Sequence, residues 1–117
     1  PTETAEMAAN SARLAEEIGI AHLHVFPYSP RPGTPAARMP QLPRDVIRAR
    51  AADLRARAAA RRAAWLQSLV GETLPVLAER DGTGYAPHYA RVALPHGTAA
   101  GTIIEVTPSE VREGLLA

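Results

Sequence analysis

Gly19-Ile20-Ala21-His22-Leu23-His24-Val25-Phe26-Pro27 shows no helical period. It is a short run of apolar and imidazole side chains bounded by Gly and Pro, and it reads as a β-strand over 20–26. The preceding residues 3–18 read as an amphipathic helix, because Met7, Ser11, Leu14 and Ile18 recur at the 3.6-residue period and Thr2 or Thr4 can supply the N-cap oxygen. Gly19 is a natural stop for that helix. Helix, glycine, strand is half of a βα repeat. A strand of that kind is buried on both faces and needs parallel neighbours. The first half of the chain holds none, so the expectation is a helix and strand from an α/β barrel of TIM type whose other strands lie elsewhere.

Downstream, residues 27–43 hold six prolines, Pro27, Pro30, Pro32, Pro35, Pro40 and Pro43. Each removes a backbone donor and biases its predecessor towards extended conformations. The segment is expected to be an ordered or semi-rigid loop at the C-terminal end of the strand, which is the active-site side of α/β barrels. From Arg44 to about Leu69 the pattern turns helical, with Ile47, Ala51, Leu54, Ala58, Trp65 and Leu69 spaced by three, four or seven. A helix of that length spans ~39 Å, enough to bridge two domains. After Gly71 the period changes again. Strands are expected at Thr73–Ala78, Tyr85–Leu94, Thr102–Thr107 and Glu113–Leu116, separated by Gly-rich turns. Short strands at such spacing suggest a small closed antiparallel barrel that leans on the long helix.

The 117 residues suffice for one average domain, or a small domain and the edge of another. No apolar run approaches the ~20 residues that cross a membrane, so a soluble, cytoplasmic protein without a membrane partner is expected. The chain opens at Pro1, not Met, and shows no export signal. Cysteine is absent, which removes disulfides, thiolate zinc sites and Cys-ligated iron–sulfur clusters from the functions these residues can carry. All 13 basic residues are Arg. Their distribution is uneven: residues 1–43 carry −1, residues 44–68 carry +5 from seven Arg and two acids, and residues 69–117 carry −3.

Phe26-Pro27-Tyr28-Ser29-Pro30-Arg31-Pro32-Gly33-Thr34-Pro35-Ala36-Ala37 closely resembles the end of the radical-SAM barrel of the MiaB-like methylthiotransferases. That family adds methylthio groups to adenosine 37 of tRNA or to a ribosomal protein. Further on, Gly71-Glu72-Thr73-Leu74-Pro75-Val76-Leu77, Gly84-Tyr85, Tyr89-Ala90-Arg91-Val92 and Gly101-Thr102-Ile103-Ile104-Glu105-Val106 are similar to a TRAM domain, the small OB-like barrel appended to these enzymes as an RNA-binding module. The His-Val-Phe-Pro-Tyr form of the first motif is most similar to the branch acting on threonylcarbamoyladenosine. The resemblance implies a parent enzyme that uses 4Fe–4S clusters and S-adenosylmethionine. It binds them through a Cys-x-x-x-Cys-x-x-Cys motif and three further cysteines, none of which is here.

Each residue that could carry function also has a plainer reading. Tyr28, Ser29 and Arg31 could line a barrel mouth, with Arg31 gripping a carboxylate or phosphate through two donors; a loop-fixing ion pair, ring packing and a turn-capping hydroxyl explain them as well. His22 and His24 alternate on one strand face with Phe26, but a metal needs further ligands, so filling a barrel interior or hydrogen-bonding to backbone is preferred. Arg48, Arg55 and Arg62, with the other Arg of 44–68, could track an RNA backbone or simply solvate the helix. Trp65 reads as a wedge between helix and barrel. Tyr85, His88, Tyr89 and Arg91 combine π-faces with a positive head, which suits stacking on unpaired bases, although a bulge at Pro87 would change the face they share.

The reading is therefore an α+β chain in three parts: 1–43, the end of a radical-SAM barrel with its Pro-rich loop; 44–69, a long basic connecting helix; and 70–117, a TRAM-type RNA-binding barrel. The chain itself holds no catalytic residue, metal or cofactor. It contributes binding of the tRNA anticodon stem-loop to a parent whose N-terminal catalytic domains are missing. The alternatives are a free-standing small RNA-binding protein, and a structural module that self-associates through an exposed barrel edge.

Overall fold

Helix α1 (Ala5–Glu17) starts where Thr4 Oγ1 accepts from Met7 N–H at 3.1 Å, so of the two candidate caps Thr4 is the one used. It ends on a pair of bonds, Gly19 N–H to Glu16 O at 3.2 Å and Ile20 N–H to Ala15 O at 3.3 Å. With Gly19 at φ +71°, this is the Schellman arrangement that satisfies the last free carbonyls. The computed structural model describes all residues, 1–117, in two compact units, Pro1–Arg62 and Ala63–Ala117.

In the first unit the face of α1 that turns inward is not the expected one. Met7, Leu14 and Ile18 are exposed, Leu14 at 55%, whereas Ala12 is buried and Ala8 and Ala15 are half-buried. Alanines at i, i+4 and i+7 form a stripe as regular as the larger residues do, and the flat, small face is the one covered here.

The expected strand over 20–26 is not formed. Side chains there do alternate, with Ala21, Leu23 and Val25 half-buried and His22, His24 and Phe26 exposed, but no strand pairs with the run. A ladder needs a neighbour, and the unit has no other strand to offer. Consequently His22 and His24 do not fill an interior, and Phe26 is 86% exposed.

Within the Pro-rich loop, Thr34 N–H donates to Arg31 O at 3.3 Å. Pro32 and Gly33, the latter at φ +84°, occupy the central positions of this turn. Proline followed by a residue of positive φ is the chemistry of a type II turn, which glycine alone fills without strain. Thr34 Oγ1 also donates to Arg31 O at 2.8 Å and accepts from Ala37 N–H at 3.2 Å. It thereby opens a short 3-10 turn over Ala36–Arg38 that the Pro count hid. Gln41 Nε2 donates to Ala36 O and Met39 O, closing the loop on itself.

Helix α2 (Arg44–Ser68) begins after Pro43 and contributes to both units. In the second unit its last turns place Leu66 and Leu69 in a core with Leu74, Val76, Ala86, Ala90, Val92 and Leu116, with Trp65 packed alongside. Six short strands surround that core: β1 (Leu74–Ala78), β2 (Thr83–Tyr85), β3 (Arg91–Ala93), β4 (Ile103–Val106), β5 (Val111–Arg112) and β6 (Leu115–Leu116). Their order is β4-β1-β2-β3-β6-β5, antiparallel except for β3 with β6. The ladder is thus an open six-stranded sheet, where a closed barrel was expected. Burial in β1 alternates strictly, Leu74, Val76 and Ala78 in and Pro75 and Leu77 out, the period-2 signature of a sheet with one covered face.

Two strand assignments change. Tyr85–Leu94 is two strands joined by a loop at Pro87-His88-Tyr89, because Pro87 cannot donate to a ladder. Glu113 and Gly114 are not strand but the turn of a two-residue hairpin, both at positive φ, as a type I′ turn demands. Gly84 is buried on β2 because a Cβ there would stand 2.4 Å from Leu77 O and 2.6 Å from Val76 Cγ1.

Candidate nucleic-acid interface

The seven Arg of α2 fall on two sides of the helix. Arg50 and Arg57 are one seven-residue step apart, nearly two turns, and so lie one above the other. Both are held by acids: Arg50 Nη1 on Glu3 Oε2 at 2.7 Å, Arg57 Nη1 on Glu16 Oε1 at 2.7 Å, and Arg57 Nε on Asp53 Oδ2 at 2.9 Å. Arg57 is accordingly held more firmly protonated than an isolated guanidinium, first by its hydrogen bond to Glu16 and then by Asp53. Arg61 is the third member of this side, its guanidinium 3.2 Å from where a Cβ on Gly19 would stand.

Arg44, Arg48, Arg55 and Arg62 form the other line, spaced by four, seven and seven residues. None of them meets a carboxylate. Arg55 donates to Val25 O at 3.1 Å, which fixes its position and leaves its charge uncompensated. The line runs for ~27 Å along the helix at 1.5 Å per residue. Four guanidinium groups in a row without counter-charges are what a phosphate backbone requires. The sequence alone could not show which line is neutralised, since Glu3 and Glu16 lie far off in the chain and only Asp53 is on α2 itself.

Of the barrel-mouth candidates, Tyr28 lines a cavity of about 330 Å³ with Val25, Leu42, Ile47 and Leu54, and its hydroxyl is buried without a hydrogen-bond partner. Ser29 and Arg31 are exposed and are not among the residues lining that cavity. His22 and His24 join no group of acidic or imidazole side chains that could hold a metal ion.

In the second unit Tyr85 and Tyr89 line one shallow cleft. His88 turns away from it: its ring meets Trp65 edge-on at 5.3 Å between centroids, and its Nδ1 accepts from Ala90 N–H at 3.4 Å. Arg91 lines a neighbouring cleft with Tyr85, where Nη2 pairs with Asp81 Oδ2 at 2.5 Å and Nε donates to Thr83 Oγ1 at 3.1 Å. Asp81 also accepts from Thr83 Oγ1 at 2.6 Å and from Thr83 N–H at 3.1 Å. The Thr83 hydroxyl first, and then Arg91, holds the Asp81 carboxyl below its usual range. The four residues grouped from the sequence are therefore divided: two rings in one cleft, a histidine on tryptophan, and an arginine already neutralised.

Over 116 residues, 99% of this chain, the sequence is 35% identical to the threonylcarbamoyladenosine tRNA methylthiotransferase MtaB of Rickettsia prowazekii. The chain is homologous to part of the MiaB-like tRNA methylthiotransferases. It spans 28% of the length of the Rickettsia prowazekii protein. Two dimethylallyladenosine-branch members of that family agree. The tRNA-2-methylthio-N(6)-dimethylallyladenosine synthase of Rickettsia bellii is 36% identical over 115 residues, covering 91% of this chain and 26% of the relative. That of Erythrobacter litoralis is 34% identical over 124 residues, covering 100% and 28%. No family profile matches the chain. The methylthiotransferase resemblance implies iron–sulfur clusters, and the residues present do not fit them, since a chain without cysteine offers no thiolate cradle. No helix is long and apolar enough to cross a membrane.

Proposed function

We propose that the chain is the C-terminal part of a radical-SAM tRNA methylthiotransferase acting on threonylcarbamoyladenosine 37, and that its own task is to grip the tRNA. The observation that carries this is the line Arg44, Arg48, Arg55 and Arg62, left without carboxylate partners while Arg50 and Arg57 on the same helix are paired. Residues 70–117 serve as a TRAM-type module that adds base contacts through Tyr85 and Tyr89, and Arg31 and Ser29 stand at the mouth of the parent's catalytic barrel. The clusters and S-adenosylmethionine belong to the part of the parent that carries its cysteines.

The exposed Met7, Leu14 and Ile18 of α1, and Phe26 at 86% exposure, support this parentage, because apolar side chains of that size are ordinarily covered when they gather on one face. The rest of the parent covers it in this reading; self-association of the chain is the rival cover, and light scattering separates the two by mass. The test of tRNA binding is a titration with an anticodon stem-loop at two salt concentrations. Binding that weakens as salt rises is expected, and no binding even at low salt removes the proposal.

A further inference from the structure

The loop between β2 and β3 holds a residue that its geometry disfavours. Ala86 N–H donates to Ala90 O at 3.0 Å and Tyr89 N–H to Ala86 O at 2.9 Å. That is the bonding of a three-residue hairpin loop whose last member is left-handed. Tyr89 occupies this place at φ +63°. A bulky side chain is an outlier in that region, which glycine or asparagine ordinarily fills. Burial does not compensate, since Tyr89 is 73% exposed. Glu113 shows that an exposed left-handed residue can simply serve a turn, so the strain at Tyr89 gains meaning from what surrounds the ring.

The surroundings narrow what that ligand is. Tyr89 shares its cleft with Pro75, Leu77, Glu79, Tyr85 and Ile103. Two phenol rings and aliphatic walls suit a flat, largely apolar group. Glu79 is the one charged residue lining the cleft, and its carboxylate makes no ion pair. A planar group that carries an amino donor satisfies both features at once. Unpaired nucleobases with an exocyclic amino group have that chemistry, stacking by their faces and donating from their edges. Arg80 and Arg91 line the adjoining cleft, which shares Glu79 and Tyr85 with this one, so any phosphate contact falls outside the cleft that holds the rings.

The geometry points to a base subsite in which Tyr89 is the stacking platform, Tyr85 stands beside it, and Glu79 accepts from the amino group, favouring cytosine, adenine or guanine over uracil. The assignment rests on the tRNA-binding reading above. A cationic peptide side chain lying over the same rings is the rival occupant.

Fluorescence anisotropy with labelled oligocytidylate and oligouridylate, which differ at C4 (amino against carbonyl) and at N3 (acceptor against N–H donor), tests it on the full chain at low salt. Cytidylate binds about five-fold more tightly than uridylate, the ratio that one hydrogen bond supplies. Tyr89→Gly weakens both by at least about five-fold, as loss of a stacking ring does, yet raises the melting temperature. Glu79→Ala abolishes the preference for cytidylate without weakening uridylate. If the wild type binds both RNAs and neither substitution alters binding, the subsite is wrong and the tRNA reading stands. If the wild type binds neither these nor an anticodon stem-loop, the tRNA reading fails first. A fall in melting temperature for Tyr89→Gly overturns the strain argument. An arginine peptide that shifts the Tyr85 and Tyr89 resonances where oligocytidylate does not would assign the cleft to protein and overturn the proposal.

Discussion

Arg57 on α2 reaches Glu16 on α1 at 2.7 Å, and this ion pair sets it apart from Arg44, Arg48, Arg55 and Arg62, which meet no carboxylate. Arg55, two residues earlier, points to a carbonyl. Neutralising Glu16 leaves Arg57 with Asp53 as its one remaining carboxylate partner. Glu16→Gln is expected to leave stem-loop affinity unchanged or slightly raised, with little loss of stability, because both side chains are nearly half exposed and exposed pairs contribute weakly. Parallel melting and RNA titration of this variant check both halves.

Gly84 sets the packing of the sheet. Gly84→Ala places a methyl against Leu77 O and Val76 Cγ1, and because one contact is backbone it cannot rotate away. Overpacking of this sort costs ~1–3 kcal/mol, so urea denaturation should show the midpoint falling with the slope unchanged. An unaltered midpoint would rule out so close an approach of β1 to β2.

Gly33 has open space around its Cβ position, so Gly33→Ala introduces only the backbone strain of φ +84°, ~1–2 kcal/mol. Because the strain is confined to the Arg31–Thr34 turn, faster proteolysis of the loop is expected with the melting of the second unit unchanged. Joint loss of both would contradict the assignment of this turn to the loop alone.

Asp81 gives the second unit a pH dependence of defined sign. A carboxyl lowered in the folded state stabilises above its unfolded value, near 4, and that contribution is lost as pH falls through the lower folded value. The wild type should therefore lose melting temperature below about pH 4 more steeply than Asp81→Asn. Parallel profiles would show that Thr83 and Arg91 do not hold this carboxylate.

Much of this was legible in the sequence. Helix α2, the change of period after Gly71, and the strand at β1 follow from the residue pattern. The covered face of α1 did not, because Ala8, Ala12 and Ala15 repeat with the same period as Met7, Leu14 and Ile18, and hydrophobicity favours the wrong set. The run 20–26 kept its alternation and lost its ladder, since pairing depends on residues that sequence pattern cannot supply. Pro87 lies inside the expected strand Tyr85–Leu94, where a bulge was weighed and a full reversal occurs. The positive φ of Tyr89 and Glu113 left no mark in residue type, because neither is the Gly or Asn that such positions select. The pairing of Arg50 with Glu3 and of Arg57 with Glu16 was hidden for a different reason: these acids lie more than 40 residues away in the chain, and Asp53 alone stands within one helical turn of Arg57.

The most direct test of the central claim is the salt slope of anticodon stem-loop binding for the wild type and for the triple variant Arg44→Ala, Arg48→Ala, Arg62→Ala. Each phosphate contact removed should lower the slope of log affinity against log salt by about 0.7–0.9, so the triple variant is expected to lose about two units of slope and to bind more weakly at every salt concentration. A slope equal to that of the wild type would place the RNA elsewhere and contradict the account.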